Sequence, residues 1–149
     1  MKSKILDSTT EDLLSIPPFI FKEVRRKLLR TVMIDMDISP IHFGIMKLLY
    51  DAGTLHVAEI GERQHIARPQ MTHLLDKLAE LGIIERRTDT ADRRMVNVML
   101  TEKGRATFEG HDKSVRKAMK DTLSCLTDKE LDDLSESLRK VRDLLSKLQ

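Results

Sequence analysis

The spacing of apolar residues changes at two points along the chain, and this change constrains the fold more than any other feature. Up to Gly82 and again after Thr101, apolar residues recur at steps of three and four, the period of an amphipathic helix. Between these two residues they alternate with polar residues, as in a half-buried strand. The sequence therefore predicts a mainly α-helical chain that contains one β-hairpin.

Start and stop signals divide the helical part that precedes the hairpin. A capping box that begins at Ser8 predicts a short helix over 8–16. Pro17 and Pro18 are expected to interrupt it, because proline lacks a backbone donor and restricts the residue before it. A second, longer amphipathic helix is predicted from Pro18 to about Met36.

Three further helices are predicted before the hairpin, and the last two of them are short and lie in tandem. The first has Ser39 as N-cap and Pro40 in its first turn, and it ends at Gly53. Short helices over 56–64 and about 67–81 follow, and the second of these carries an apolar stripe on one face. Such a pair is typical of a helix-turn-helix.

The hairpin is predicted from strands over 83–87 and 95–100, which flank a turn-rich segment. A helix over about 102–124 follows the second strand. Thr127 and Glu130 then form a capping box that opens the last helix.

The last helix carries an unbroken apolar seam at alternating steps of three and four, the spacing of a helix–helix contact. The seam and the apolar face of the first helix exceed what a small winged domain covers, so we predict a homodimer. The alternative is that both helices pack only within one chain. The seam consists of Leu131, Leu134, Leu138, Val141, Leu145 and Leu148.

The order of these elements predicts a winged helix-turn-helix inside a helical frame. We expect one mainly α-helical chain over 1–149, with the DNA-binding region over 38–104 and a two-stranded β-hairpin as the wing. Long N- and C-terminal helices over 8–36 and 105–149 would serve dimerisation.

One segment, over 75–104, has a more specific pattern: L-x-x-L-A-E-L-G-I-I-E-R-R-T-D-T-A-D-R-R-M-V-N-V-M-L-T-E-K-G. Its D-x-R turn runs from Asp92 to Arg94, and its V-x-L-T-x-x-G strand end runs from Val98 to Gly104. This pattern resembles the wing signature of the multiple-antibiotic-resistance regulator (MarR) family of winged helix-turn-helix proteins. The resemblance implies a dimeric, sequence-specific regulator of transcription that binds double-stranded DNA. It also implies that this regulator is a repressor and that binding of a ligand relieves the repression.

The predicted helix over 67–81 is the candidate recognition helix, because an α-helix fits the major groove of B-DNA. Arginine suits guanine or phosphate, glutamine suits adenine, and threonine and histidine suit phosphate or a thymine methyl group. An ordinary solvated helix face is the alternative interpretation of the same residues. The candidate contacts are Arg68, Gln70, Thr72, His73 and Lys77.

The predicted wing over 88–95 carries two arginines at its tip, and an extended arginine gains from the negative potential of a narrow minor groove. We expect Arg93 and Arg94 to contact DNA. Asp92 would be repelled by phosphate, so its predicted role is to accept hydrogen bonds from Arg94. Arg86 and Arg87 alternate across the first strand, so at most one of them faces phosphate; Arg86 is included among the candidates and the choice stays open.

Charge supports a local electrostatic role rather than a general one. The whole chain has a net charge of only +2, whereas residues 63–105 carry nine Lys or Arg against six Asp or Glu, a local excess of three. Two such regions in a dimer would form a basic face whose binding weakens with salt. A two-fold pair would read a pseudo-palindromic operator with half-sites about one DNA turn apart.

The resemblance also implies a small phenolic or aromatic carboxylate as effector. Cations that hold an anion and a soft methionine wall would suit such a ligand. Lys22, Arg26, His42 and Met46 are the candidate lining residues. The alternative is a basic solvated face beside ordinary core residues.

Other functions have weaker support. Cys125 is the only cysteine and lies between the last two helices, away from the position that peroxide-sensing relatives use, so we expect neither a redox role nor a metal site. No catalytic constellation is present, and we expect no cofactor and no enzymatic activity. The chain has no apolar run long enough to cross a membrane and opens without a secretory signal, which predicts a cytoplasmic protein.

A module that uses the winged fold to bind protein is the alternative function. The arginine-bearing wing and the polar face of the recognition helix argue against it. The recognition helix of many relatives starts with a Ser or Thr cap, whereas this chain has Ala67, which has no hydroxyl to face a phosphate.

Overall fold

The computed structural model describes residues 1–28 and 38–148 of the chain, with side chains described up to residue 26 in the first of these ranges. It divides into two compact units: a winged unit, Thr31–Ser114, and a helical unit formed by Met1–Arg30 and Val115–Gln149. The elements in chain order are α1 (Lys2–Leu28), α2 (Pro40–Ala52), β1 (Thr54–His56), α3 (Val57–Gln64), α4 (Arg68–Glu80), β2 (Ile84–Thr88), β3 (Val96–Leu100), α5 (Glu102–Leu123) and α6 (Asp128–Leu145), which a 3-10 turn (Ser146–Leu148) extends.

The winged unit packs α2, α3, α4 and the small sheet around one apolar core. Helices α3 and α4 form the predicted helix-turn-helix, joined at His65, which has a left-handed φ of 52°. Close packing of branched and sulfur-containing side chains stabilises this arrangement because they are removed from water. The fully buried side chains are Ile45, Met46, Leu49, Ile60, Met71, Leu75, Leu78, Ile83 and Val98.

The local signals of this unit act where the sequence predicted. Helix α2 begins after Ser39, whose backbone N–H donates to the Nδ1 atom of His42 at 3.1 Å, and the helix ends at Gly53. Helix α4 begins after Ala67, which makes no side-chain cap. Gly82, with a φ of 69°, turns the chain from α4 into the sheet, a conformation that favours glycine.

The sheet differs from the predicted two-stranded hairpin because it has three antiparallel strands in the order β1-β3-β2. The additional strand, β1, pairs Leu55 with Val98 and His56 with Asn97. Its three residues are too few to display the alternation that identifies a strand. The predicted wing strands β2 and β3 pair from Ile84 with Leu100 to Thr88 with Val96.

Helix α1 corrects a second prediction. The sequence predicted a short helix over 8–16 that Pro17 and Pro18 interrupt, whereas one helix begins at Lys2 and runs through both prolines to Leu28. Proline's fixed φ near −65° is compatible with helical geometry, so the helix continues although two backbone donors are missing. The predicted continuation over 29–36 lies outside the described residues.

The helical unit has a small core of its own. Val24 of α1 and Ala118 of α5 are buried, with Val115 and Met119 partly buried against them. Large apolar side chains on α1 and α6 are exposed, such as Phe19 with 66% of its surface accessible. Among the described residues, no helix is long and apolar enough to span a bilayer.

Candidate nucleic-acid interface

Helix α4 presents two chemically different faces. Met71, Leu75 and Leu78 are buried in the core of the winged unit. The predicted contacts Arg68, Gln70, Thr72 and His73 are all exposed, on the side of α4 that the core leaves free. The Thr72 hydroxyl donates to the backbone carbonyl of Arg68 at 3.2 Å, so it must rotate before it can donate to a phosphate. Lys77 is only partly exposed.

An ion pair connects α4 to the first wing strand. Arg86 of β2 places Nη2 at 2.7 Å from Oδ1 of Asp76 on α4, and its side chain is one-third exposed. Arg87 points to Glu85 on the same strand at 2.9 Å and is 65% exposed. The sequence did not decide between these two arginines, and the structure places them differently. Arg86 is held by Asp76 of α4, whereas the side chain of Arg87 is more exposed to solvent.

The start of α5 holds the end of α4, which explains the T-x-x-G part of the sequence motif. The Thr101 hydroxyl donates to the carbonyl of Gly82 at 2.6 Å and accepts from the N–H of Gly104 at 3.0 Å. The Lys103 ammonium donates to the carbonyl of Leu81 at 2.7 Å, where the negative end of the α4 dipole lies. A Cβ atom on Gly104 would come within 1.9 Å of the Ile83 carbonyl oxygen, so only glycine permits this approach.

The wing tip contains the expected pairing of Asp92 with Arg94. Asp92 accepts from the backbone N–H of Arg94 at 3.0 Å and from its guanidinium Nε and Nη2 at 3.2 and 3.4 Å. These bonds from Arg94 hold the pKa of Asp92 below its ordinary value. Arg93 is exposed, and the side chain of Arg94 is 91% exposed, so the cationic tip stands clear of its own unit.

A second carboxylate organises the base of the wing, and the sequence prediction did not include it. Asp89 accepts hydrogen bonds from the backbone N–H groups of Ala91 and Asp92 and from the side-chain amide of Asn97. These bonds lower the pKa of Asp89. An aspartate that opens a turn and bonds the N–H two residues on is the ordinary Asx-turn signature, which the D-T-A-D sequence carries.

The four candidate effector residues have different surroundings. Lys22 and Arg26 lie on α1, where Lys22 is exposed and Arg26 pairs with Glu23 at 2.8 Å. His42 is buried and its ring binds the Ser39 cap, and Met46 has no accessible surface in the core. In this structure, His42 and Met46 therefore act in capping and packing.

The predicted dimer seam lies on α6 in the helical unit. Leu131 and Leu134 are partly buried, whereas Leu138, Val141, Leu145 and Leu148 are between 38% and 80% exposed. An open groove of about 610 Å³ follows the seam. It is lined by Leu123, Leu131, Asp132, Leu134, Ser135, Leu138, Arg139 and Arg142.

The described residues contain no group of three or more His, Cys, Asp or Glu side chains that could hold a metal ion. The thiol of Cys125 is exposed and donates to the carbonyl of Thr122 at 3.2 Å.

Comparison with known proteins gives a consistent family. The model of the MarR family matches residues 38–96. The transcriptional repressor MdtR of Bacillus subtilis is 27% identical over 128 residues, which cover 86% of this chain and 82% of the relative.

Two solved structures have the same fold at 22% identity. Streptococcus pneumoniae FabT in complex with DNA has a TM-score of 0.72, with 97% of this chain and 99% of that chain covered. NadR in complex with 4-hydroxyphenylacetate has a TM-score of 0.62, with 87% of this chain and 89% of that chain covered.

Proposed function

The chain belongs to the MarR family of transcriptional regulators, and we propose that it acts as a homodimeric repressor of a pseudo-palindromic operator. The observation that carries this proposal is the combination, in one compact unit, of an exposed polar face on α4 with an exposed arginine pair at the wing tip. Both are typical of DNA-binding surfaces in which a helix reads the major groove and a wing contacts the minor groove.

The chemistry of the α4 face suits base recognition. Arg68 can donate two hydrogen bonds to guanine, and Gln70 can pair with adenine. His73 and Thr72 suit phosphate or a thymine methyl group, and Lys77 supplies a further positive charge. Since Arg86 is held by Asp76 in the free protein, we assign it to the frame of the site unless DNA binding releases it.

The exposed apolar side chains of the helical unit support a dimer. Leu138 is 53% exposed and Leu144 61% exposed on α6, and α1 adds Phe19 at 66%. Removing such side chains from water is worth about 25 cal/mol for each Å² buried, which favours a second copy as the covering surface. A two-fold dimer of this kind places its recognition helices about 34 Å apart, or one turn of DNA.

We extend the proposal to a small aromatic or phenolic acid as effector, because the solved relative NadR carries 4-hydroxyphenylacetate. Lys22 and Arg26 are the cations of this chain best exposed for an anionic ligand among the four candidates. A thermal-shift screen with aromatic carboxylates tests this part: a hit should raise the unfolding temperature and weaken the DNA complex. An acid that stabilises the protein without weakening that complex would contradict relief of repression.

DNA binding itself is tested by selecting duplexes from a random pool with the wild-type protein and measuring affinity by gel shift. We expect an inverted-repeat sequence to be enriched. Arg94→Ala should weaken binding by about 1–3 kcal/mol with little change in unfolding, because its side chain no longer reaches the minor groove. Lys47→Ala, which removes one exposed positive charge from α2, is the matched control.

Failure to enrich any sequence at about 0.1 M salt, the range in which counterion effects still permit specific binding, would favour the alternative function, a winged module that binds protein. Equal losses of affinity in Arg94→Ala and Lys47→Ala would contradict a specific role for the wing and leave only a general charge effect.

A further inference from the structure

Asp89 lies directly after β2, at the base of the wing. Its Oδ1 atom accepts from the backbone N–H of Ala91 at 2.7 Å and from that of Asp92 at 3.1 Å. Its own N–H donates to the carbonyl of Met95 at 3.0 Å, which closes the hairpin end. One residue therefore fixes the backbone on both sides of the wing turn.

The second carboxylate oxygen of Asp89 faces the sheet. Its Oδ2 atom accepts from the side-chain amide of Asn97 on β3 at 3.1 Å, and the Nε2 atom of His56 on β1 lies 3.9 Å away. The Asp89 side chain is 20% exposed and that of His56 is 29% exposed. The carboxylate thus connects the turn to β3 by a hydrogen bond, and it lies near the imidazole of His56 on β1.

These contacts continue to the cationic tip. Asp89 fixes the backbone N–H of Asp92, and the Asp92 side chain in turn binds both the backbone and the guanidinium of Arg94. An extended arginine gains affinity for DNA when its position is set in advance, since less conformational freedom is lost on binding. The direction in which Arg94 extends therefore depends on Asp89 through two consecutive sets of hydrogen bonds.

We propose that Asp89 is a positioning residue for DNA binding: it does not contact the duplex, and its carboxylate fixes the turn from which Arg94 extends. This inference rests on the proposed function. Positioning and electrostatics predict opposite changes in DNA affinity when Asp89 is neutralised. A carboxylate near phosphate is repulsive, so electrostatics alone predicts that neutralising Asp89 strengthens DNA binding. Positioning predicts that neutralisation weakens it.

Ionisation of the carboxylate agrees with this role. Backbone hydrogen bonds from Asp92 and Ala91, followed by the bond from Asn97, lower the pKa of Asp89 from its ordinary value of 3.8. A lowered carboxyl pKa means that the charged form is the one the folded wing favours, and its contribution to stability is lost only as pH falls through the folded-state pKa. The carboxylate is charged wherever DNA binding would be measured.

The test uses the full-length protein and a duplex that the wild type selects from a random pool. Asp89→Ala should weaken binding about tenfold, the lower end of the effect of removing an arginine that binds DNA. The affinity of Asp89→Asn should lie between those of wild type and Asp89→Ala. Its amide oxygen still accepts from Ala91 and Asp92, but its NH2 group cannot accept from Asn97. Asp51→Ala removes the same charge from α2, where Asp51 pairs with Lys47, and should bind as wild type or more tightly.

A double-mutant cycle with Arg94→Ala separates positioning from general destabilisation. If Asp89 acts through Arg94, the tenfold effect of Asp89→Ala should largely disappear when Arg94 is already absent. Amide hydrogen exchange at Ala91 and Asp92 should accelerate in Asp89→Ala, while the urea midpoint of the whole protein stays close to wild type.

The inference is overturned if Asp89→Ala binds as tightly as wild type, or if its effect is equal with and without Arg94. These outcomes leave the proposed function intact, provided that wild type still binds its selected duplex and Arg94→Ala binds it more weakly. If wild type enriches no duplex, both the proposed function and this inference are overturned together.

Discussion

In the winged unit, side chains such as Ile45, Ile60 and Leu75 have no accessible surface, whereas in the described part of the helical unit only Val24 and Ala118 are buried. The winged unit completes its core within one chain, because α2, α3, α4 and one face of the sheet converge on it. The helical unit instead presents apolar side chains on two long helices. The difference indicates that the winged unit presents polar groups to solvent, whereas the helical unit has an apolar surface that a second chain would cover.

The largest effect should come from a charge in the apolar seam. Leu138→Asp places an unpaired carboxylate where the second copy is expected, which should weaken the dimer by about 3 kcal/mol or more. Sedimentation equilibrium measures this weakening, and Ser137→Asp on the adjacent polar position is the matched control. A Leu138→Asp protein that still sediments as a tight dimer would remove the distinction between the two units.

The next effect concerns the close approach of α5 to the end of α4. Gly104→Ala should destabilise the protein by about 3 kcal/mol, because the new methyl group overlaps the Ile83 carbonyl and the backbone must move. Gly110→Ala on the same helix meets no atom within 4 Å and should stabilise by roughly 0.5–1 kcal/mol. Urea unfolding of both variants measures the contrast, and equal midpoints would show that the packing at Gly104 is not tight.

Much of the winged unit was predictable from local chemistry. Ser39, Gly53 and Gly82 carry start and stop signals that act within a few residues, so the bounds of α2 and α4 followed from the sequence. The pairing of Asp92 with Arg94 was predictable for the same reason, since the two residues are two positions apart.

Two of the features that were missed depend on contacts between distant parts of the chain, and a third, the course of α1, does not. Strand β1 exists because Leu55 pairs with Val98, more than forty residues later, and three residues carry no period of their own. The ion pair between Asp76 and Arg86 needs α4 and β2 to be placed first. Helix α1 passes through Pro17 and Pro18 because the helix on either side tolerates two missing donors, which propensity alone does not predict.

A smaller effect distinguishes the fixed frame of the winged unit from its exposed groups. Arg87→Gln should reduce the slope of log affinity against log salt by about one for each phosphate that the variant no longer neutralises, or about two for a dimer. Arg86→Gln should leave the slope unchanged, because Asp76 already holds that guanidinium. The opposite assignment of the two slopes would place Arg86 on DNA and Arg87 in the frame.

The smallest effect is a pH dependence of the winged unit. His111 stacks on Phe43 with ring centroids 3.5 Å apart, and burial lowers its pKa from 6.5, partly offset by Asp112. As the pH is lowered, His111 therefore takes up a proton at a higher pH in the unfolded chain than in the folded chain. The free energy of unfolding should fall as the pH drops below about 6.5, the ordinary histidine value. His111→Phe keeps the stacking and should reduce this fall in stability, measured as urea midpoints at two pH values. His73→Gln, at an exposed position, is the control and should show the same fall in stability as wild type. If His111→Phe also loses as much stability as wild type at low pH, His111 is not the cause.

The number of chains in the DNA complex decides whether paired copies are what binds the operator. Sedimentation of the protein with a duplex selected by wild type should give two chains on each inverted repeat, and Leu138→Asp should fail to form this complex although its α4 and wing are intact. One chain bound tightly to each duplex, or an unchanged complex with Leu138→Asp, would contradict a regulator in which paired copies present their recognition helices to DNA.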